Sequence, residues 1–465
     1  MATPLDPTAA AFLYAESRST PMHVGGLQLF TKPEGAGRDY VREIYEQMRS
    51  AEDIAPLFLR HPTRSVSTAG QWVWATDELF DIDHHVRHSA LPKPGRVREL
   101  LDLVSRLHGS RLAYERPLWE CHVIEGLRDG RMAWYTKIHH ALVDGVSSMR
   151  LLQSVLSTDP DRRDMPPPWG AHAGRANHTR DEAEHRLAGV PMSAVRTALS
   201  VSADAAGLPG ALVRTLGRGL RNETAPVSFN APRTMLNTQI TGARRFAAQD
   251  WPVERMRAIG KATGTTINDV VLAMCGGALR TYLLDFDALP DTSLVSMVPV
   301  SLHAKGQAPD NHGGNAVGAV MVQLGTDLDD PAVRLTQIHR SMKDGKEAMA
   351  TMTPLQILAM SAIGMSPTVL GPLLRTTGVL RPPFNIIISN VPGPRVPHYF
   401  DGAELVGMYP LSIPFHGNAL NITCTSYAGN LGFGLTGCRR TVPHLQRLLT
   451  HLDTELRALE KAAGV

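Results

Sequence analysis

Short runs in which apolar and polar residues alternate recur along the chain, beside segments whose apolar residues are three or four positions apart. The first pattern is typical of half-buried strands and the second of helices. Together they predict an α/β protein with substantial sheet. At 131–146 the sequence RMAWYTKIHHALVDGV predicts a strand, a tight turn and a helix, with two adjacent histidines where the strand ends.

Those histidines, His139 and His140, lie on consecutive residues of a predicted half-buried strand. Consecutive strand side chains point to opposite faces, whereas zinc ligands must converge, so no metal site is predicted. Asp144 follows across the turn, where it either orients an imidazole or holds the turn by pairing with an arginine. Gly145 would supply a close approach or a positive φ. A buried structural histidine remains the alternative interpretation of His140.

The segment TTINDVVLAMCGGALRTYL predicts a second well-defined helix. Thr266 is its expected N-cap, and Asp269 in the first turn complements the helix dipole. The apolar stripe of this helix consists of Ile267, Val270, Val271, Met274 and Ala278.

A chain of 465 residues is too long for one ordinary core, and two domains of roughly 200 residues are expected. The polar, proline-rich stretch 158–186 is the natural break. The predicted division is an N-terminal domain at 1–160, a linker with connecting helices at 161–230, and a C-terminal domain at 231–465. The arginine-rich helices expected at 190–221 are either a solvated connector or a surface that rests on anionic membrane.

Charge and cysteine content narrow the function classes. A net charge of +3 is too slight to predict nucleic-acid binding. The four cysteines are far apart and predict neither a disulfide framework nor a zinc cluster, which fits a reducing, cytoplasmic setting. The N-terminus has no signal-peptide pattern.

The charge-free stretch 348–374 is interrupted by prolines and glycines, so acyl contact, membrane contact or core packing is expected there rather than a membrane span.

Several common motifs are absent or incomplete. GFGLTG at 432–437 satisfies the glycine spacing of a dinucleotide-binding loop, but no helix opens at Gly437 and the chain ends before a second unit. The sequence contains no GxSxG elbow and no GxxxxGK[ST] loop. Dinucleotide binding, serine-lipase and P-loop chemistries are therefore rejected.

The stretch HHALVDG at 139–145 resembles the HHxxxDG motif of the CoA-dependent acyltransferase superfamily. Other stretches, in order along the chain, are similar to the bacterial wax ester synthase/acyl-CoA:diacylglycerol acyltransferase family. They are PLDPTAAAFLYAESRSTPMHVGGL at 4–27, RPLWE at 116–120, PPPW at 166–169, TINDVVLA at 266–273, PVSL at 299–302, SNVPGP at 389–394 and YPLS at 409–412. The chain departs at His303, where family members often carry arginine.

The resemblance implies two chloramphenicol-acetyltransferase-like domains, each a mixed sheet flanked by helices, with a tunnel at their interface. It implies transfer of a long-chain acyl group from acyl-CoA to diacylglycerol or a long-chain alcohol, without a covalent acyl-enzyme. Acyl-CoA is then a co-substrate, and no permanently bound cofactor is expected. His140 matches the general base, Asp144 matches an aspartate with a structural role, and His139 supports the site or lines the cleft.

Further residues are candidates for roles in this chemistry. Asn268 is the candidate donor to the oxyanion, with membership of the helix cap as its alternative. In this fold a C-terminal strand crosses toward the N-terminal domain, so Ser389 and Asn390 are candidates to line the cleft. Alternatively, the prolines and glycine of SNVPGP at 389–394 serve only to end the strand in a turn. Trp119 packs either the tunnel wall or the core, and Arg375 and Arg381 are candidates to hold the CoA phosphates.

The expected partners are lipids. The resemblance implies a cytoplasmic protein held peripherally at the inner face of the plasma membrane or at lipid inclusions, while the oligomeric state is not predicted. Two alternatives stay open: a CoA-dependent acyltransferase with another acceptor, and a catalytically silent lipid-binding protein with the same fold.

Overall fold

The structure is a computed structural model that describes residues 3–65, 68, 70–171, 231–301, 317–350 and 381–465. The predicted connecting helices at 190–221, His303, Arg375 and the charge-free stretch beyond residue 350 lie outside the described residues.

The described chain contains strands interspersed with helices. The strands are β1 (Thr3–Pro4), β2 (His23–Thr31), β3 (Arg60–Thr63), β4 (Val73–Thr76), β5 (Val86–Ala90), β6 (Trp119–Glu125), β7 (Met132–His139), β8 (Arg244–Pro252), β9 (Val295–Ser301), β10 (Val317–Gln323), β11 (Ile386–Val391), β12 (Tyr399–Phe400), β13 (Ala403–Leu411), β14 (Leu420–Tyr427) and β15 (Asn430–Cys438). The helices are α1 (Pro7–Ala15), α2 (Tyr40–Arg49), α3 (Ile82–His85), α4 (Val97–Gly109), α5 (Gly145–Gln153), α6 (Val253–Thr263), α7 (Ile267–Leu284), α8 (Pro331–Ala350) and α9 (Arg447–Ala463).

The first six-stranded sheet has the order β12-β13-β2-β7-β6-β5 and is mixed, because only β5 and β6 run parallel. All eight residues of β7 are buried. The prediction of a half-buried strand is wrong, because both faces of β7 are covered. One face packs with α2 through Trp134 and Ile138, and the other packs with α4 and β8 through Ala133 and Tyr135.

The second six-stranded sheet has the order β10-β9-β11-β14-β15-β8, with β11 parallel to both of its neighbours. Helices α6, α7, α8 and α9 pack on it and form the largest core cluster. Among the described helices, α7 alone has the length and apolar composition to span a bilayer. However, 72% of its 18 residues are buried inside the protein. Its burial is that of a core helix.

The two sheets are joined by a crossing strand from the C-terminal half. Strands β12 and β13 complete the first sheet, with β13 antiparallel to β2 from Glu404↔Thr31 to Leu411↔Gly25. Two glycines of the GFGLTG stretch make room for the crossing. A Cβ at Gly432 would lie 2.3 Å from the Met408 carbonyl oxygen, and one at Gly434 would lie 1.8 Å from that of Pro410. These glycines are explained by close backbone approach.

The first domain is longer than its predicted end at residue 160. Trp169 is buried in the core that α2 forms with β7, and its indole N–H donates to the Met48 carbonyl at 3.1 Å. The Trp169 carbonyl in turn accepts from the Ala55 amide at 2.8 Å. The predicted linker therefore begins too early, since residues up to 171 fold against the first domain, and the predicted C-terminal domain gives β12 and β13 to that domain's sheet.

Candidate active site

The predicted strand, turn and helix around the histidine pair are confirmed. β7 ends at His139, and α5 begins at Gly145. The His140 amide still donates to the Met22 carbonyl at 2.9 Å, which anchors the turn to the residue before β2. Asp144 is the N-cap of α5, with Oδ1 accepting from the Ser147 amide at 2.7 Å and Oδ2 from the Ser147 hydroxyl at 3.1 Å.

The His140 imidazole is half-buried and stacks on the Phe12 ring, with centroids 4.2 Å apart and planes 21° apart. Burial lowers its pKa below 6.5, opposed in part by its own backbone carbonyl and by the charge of Asp144. The ring is therefore neutral near pH 7, which is the state that accepts a proton.

The His139 imidazole is fully buried and has different neighbours. Its Nδ1 accepts from the Ala141 amide at 3.1 Å, so the proton of the neutral ring is on Nε2, 3.7 Å from Glu16 Oε1. Burial, with the charges of His140 and Arg111, lowers the pKa of His139 to about 3. This ring is therefore neutral near pH 7, and its complete burial and separate partners make the two histidines inequivalent.

Glu16 links both histidines, and its role is not evident from the sequence. Its side chain is 0% exposed, with Oε1 accepting from the Met22 amide at 3.0 Å and Oε2 from Arg111 Nε at 3.2 Å. Because the Met22 carbonyl binds the His140 amide, Glu16, Met22, His140 and His139 form a closed ring of contacts. The available signal was local: Phe12 and Glu16 are four residues apart, the spacing of one helix face.

Two predictions about the turn need correction. No arginine among the described residues pairs with Asp144, which caps a helix instead. Gly145 has no positive φ, and a Cβ there would meet no atom within 4 Å. Neither close approach nor backbone strain explains this glycine, and the space beside it is open.

Trp119 is a core residue. Its indole N–H donates to the Phe58 carbonyl at 2.9 Å, and its ring stacks on His85 and on Trp169, with centroids 4.6 and 5.0 Å away. It is 2% exposed, so it offers no face to a ligand. Of the two alternatives for Trp119, core packing is the one observed, and its candidacy as a substrate contact is wrong because aromatic neighbours stack on its ring.

Asn268 is the second residue of α7 and is half-buried. The cap is a reciprocal pair of hydrogen bonds between Thr266 and Asp269, at 2.9 and 3.2 Å, so Asn268 is not part of it. Its side chain makes no hydrogen bond to the described residues. The amide is thus available as a donor, which leaves its predicted role open.

Ser389 and Asn390 lie near the end of β11, which pairs with β14 and β9 and stays in the second sheet. The expectation that this strand crosses to the first domain is wrong, since β13 is the crossing strand. Both residues are half-buried, and the next residue, Val391, packs against the first domain's core. The end of β11 therefore lies at the domain boundary. Arg381, the described candidate for CoA phosphate contact, is exposed.

No group of three or more histidine, cysteine, aspartate or glutamate side chains within the described ranges is arranged to hold a metal ion. The histidine pair therefore lacks the additional ligands that a metal site requires in this part of the chain.

Comparisons with known proteins cover nearly the whole chain. A model of the wax ester synthase/diacylglycerol acyltransferase catalytic domain matches residues 5–271, and one of the C-terminal domain of that family matches 313–460. A putative diacylglycerol O-acyltransferase of Mycobacterium tuberculosis is 49% identical over 99% of this chain and 100% of its own. A probable diacylglycerol O-acyltransferase of the same organism is 47% identical over 99% of each chain.

Two solved structures extend these matches. A wax ester synthase/diacylglycerol acyltransferase from Marinobacter aquaeolei is 42% identical with a TM-score of 0.78, covering 100% of both chains. The first condensation domain of the calcium-dependent antibiotic synthetase has a TM-score of 0.57 at 16% identity, covering 100% of this chain and 96% of that one. The latter supports the fold alone, in agreement with the predicted two-domain arrangement of mixed sheets flanked by helices.

We predict that Glu16→Ala lowers the free energy of unfolding by about 1–3 kcal/mol, because the buried Met22 amide loses its acceptor. Urea denaturation measures this loss. Glu16→Gln is the matched control, because its amide oxygen still accepts from Met22 while Arg111, 41% exposed, regains water. A Glu16→Ala protein as stable as the parent would contradict the role given to this carboxylate.

For Asp144, we expect Asn to keep the α5 cap, since asparagine caps helices as well as aspartate does. The lost charge no longer favours the imidazolium, so the pKa of His140 falls further and the acid limb of the kcat/KM profile moves to lower pH. Asp144→Ala loses the cap as well, at a cost of about 0.5–2 kcal/mol in stability. A limb that moves to higher pH in Asp144→Asn would refute the electrostatic assignment.

Proposed function

The chain belongs to the wax ester synthase/diacylglycerol acyltransferase family, and we propose that it transfers a long-chain acyl group from acyl-CoA to an alcohol with His140 as the base. As a member of this family it is an O-acyltransferase. The proposed acceptors are the free hydroxyl of diacylglycerol and the hydroxyl of a long-chain alcohol.

The observation that carries the proposal is the state of His140. Its ring is neutral near pH 7, half-buried, and attached to a turn that is anchored at both ends, by Met22 before the turn and by the Asp144 cap after it. A positioned imidazole of this kind contributes about 10²–10⁴-fold to proton transfer. His139 is fully buried beside Glu16, which supports the assignment of the base to its neighbour.

The proposed step conserves atoms and charge. A nitrogen of His140 takes the proton of the acceptor hydroxyl while the oxygen attacks the thioester carbonyl carbon. The new C–O bond gives a tetrahedral oxyanion, whose collapse breaks the C–S bond. The imidazolium then returns the proton to the departing CoA thiolate, and CoA leaves as the free thiol. His140 is neutral again, and no acyl-enzyme forms.

The oxyanion needs a preorganised donor. Asn268 is the proposed donor because its amide lies in the first turn of α7 and makes no hydrogen bond to other described residues. Ser389 and Asn390 are proposed to contact substrate because their strand ends at the domain boundary. Gly145 is proposed to leave room for substrate, since the space where its side chain would lie is open.

The proposal includes a cytoplasmic location at the surface of a membrane or lipid inclusion. Diacylglycerol and long-chain alcohols partition into lipid, so an enzyme that uses them works at that boundary. The four cysteines are all free, which fits a reducing compartment. Tyr14 on α1, two residues after Phe12, and Leu79 after β4 are 63% and 88% exposed, and they offer apolar contacts to a lipid surface.

The test is release of CoA thiol from palmitoyl-CoA by the purified full chain, with diacylglycerol or hexadecanol as acceptor. We expect an acceptor to stimulate release, and His140→Ala to lose about 10²–10⁴-fold because the base is gone. His88→Ala, on the edge strand of the same sheet, is the matched control and should keep the parental rate.

Each failure has a distinct meaning. Thiol release that neither acceptor stimulates would reject the proposed acceptors and favour another alcohol or amine. Full activity of His140→Ala with an intact fold would reject the base assignment while leaving family membership untouched.

A further inference from the structure

The aromatic ring beneath the His140 imidazole comes from a helix far away in the sequence. Phe12 is near the end of α1, and its near-parallel stack on His140 has a centroid distance of 4.2 Å. The Phe12 ring also packs against two apolar clusters, one that contains Leu118 and Ala141 and one that contains Met22 and Ile413. Both clusters restrain the ring, so its position does not depend on the imidazole.

We propose that Phe12 is a positioning residue for the reaction: it fixes the plane of the His140 imidazole and keeps water from one of its faces. The inference rests on the proposed function of His140 and adds a residue to it. Rotation of the imidazole out of the stack would drive its edge into the benzene ring. The lone pair of the basic ring nitrogen is thereby held in one plane, and the acceptor hydroxyl must approach the nitrogen in that plane.

The stack has two opposing effects on the protonated imidazole. A benzene face attracts a cation, which favours protonation, but it also displaces water, which solvates a cation more strongly. Burial by all of the surrounding residues is the largest influence on the pKa of His140 and lowers it. Phe12 covers one face of the imidazole and so contributes to that burial, and we expect the loss of hydration to outweigh the attraction of the benzene face. Removing the ring should therefore move the pKa upward, toward the 6.5 of a free imidazole.

The charged and titratable groups near His140 belong to other residues, so they are retained when Phe12 is changed. Asp144 at the start of α5 acts on His140, His139 on β7 is its chain neighbour, and Glu16 lies beside His139 and pairs with Arg111. A titration change in a Phe12 variant is therefore assigned to the lost ring, provided that α1 keeps its packing.

Leu13 tests that condition. It is the next residue on α1, is 4% exposed, and packs in the cluster that contains Ala141 without touching the His140 ring in a stack. Leu13→Ala loosens the packing of α1 but leaves the aromatic ring in place. It is the matched control for a purely structural effect of Phe12→Ala.

The deciding experiment is an NMR titration of the full chain labelled with ¹³Cε1-histidine, with the His140 signal identified by its absence in His140→Ala. We expect the midpoint of His140 to move to higher pH in Phe12→Ala and to stay at the parental value in Leu13→Ala. An unmoved midpoint in Phe12→Ala, or an equal shift in Leu13→Ala, would overturn the inference. This readout needs no turnover, so it is independent of the proposed acyl transfer.

Rates of CoA thiol release separate the two proposed effects of the Phe12 ring, which are orienting the imidazole and excluding water from it. Phe12→Ala should lose about 10- to 100-fold in kcat at pH 8, since a misplaced base is costly, and its acid limb should follow the NMR midpoint upward. Phe12→Leu keeps apolar volume without a planar ring, so its midpoint should return toward the parental value while its kcat stays low. Parental kcat in both variants would refute the positioning role. A parental chain that releases no thiol would instead reject the proposed function, with the titration still deciding the effect of Phe12 on His140.

Discussion

Burial of β7 on both faces is the constraint on which the rest of the site depends. The strand carries a lysine into the interior, and Lys137 Nζ donates to the carbonyls of Leu107 and Ser110 at 3.1 and 3.0 Å and lies 3.2 Å from Glu120. Burial alone would raise the pKa of Glu120, but its hydrogen bond with His122 and the charges of Lys137 and Arg87 bring it to about 2. A buried amine with these partners is tolerated only in one register, because a shift would leave it unpaired. That register places His139 opposite His23 and leaves His140 at the first residue of the turn.

The same sheet is completed by the other half of the chain. β13 lies beside β2, which in turn lies beside β7, so the histidine pair lies on a sheet built from both halves of the chain. Asp401, just before β13, accepts from Gln47 at 2.7 Å and from the Met165 amide at 3.3 Å, which ties the crossing segment to α2 and to the end of the first domain. The site is therefore a property of the assembled chain, and loosening the crossing should disturb the histidines from a distance.

Local patterns predicted the local elements well. The strand, turn and helix around His140 and the capped start of α7 are each determined by a short continuous stretch of sequence, and the structure confirms them. What failed depends on contacts between distant segments. The sequence of β7 does not indicate that α4 and β8 cover its second face. Likewise, the local sequences of β11 and β13 do not indicate which of the two crosses to the first sheet. Phe12 and Glu16 contact the histidines across more than a hundred residues, so their four-residue spacing was visible in the sequence but these contacts were not.

The central claim is that His140, held between a fixed turn and an aromatic ring, takes the proton of the attacking alcohol. The most direct measurement is a crystal structure of the full chain with a non-transferable acyl-CoA analogue and a long-chain alcohol bound together. The account predicts the alcohol oxygen within about 2.6–3.2 Å of a His140 ring nitrogen and close to the plane of the imidazole that stacks on Phe12. An alcohol oxygen beyond the reach of His140, or bound to a different base, would contradict it.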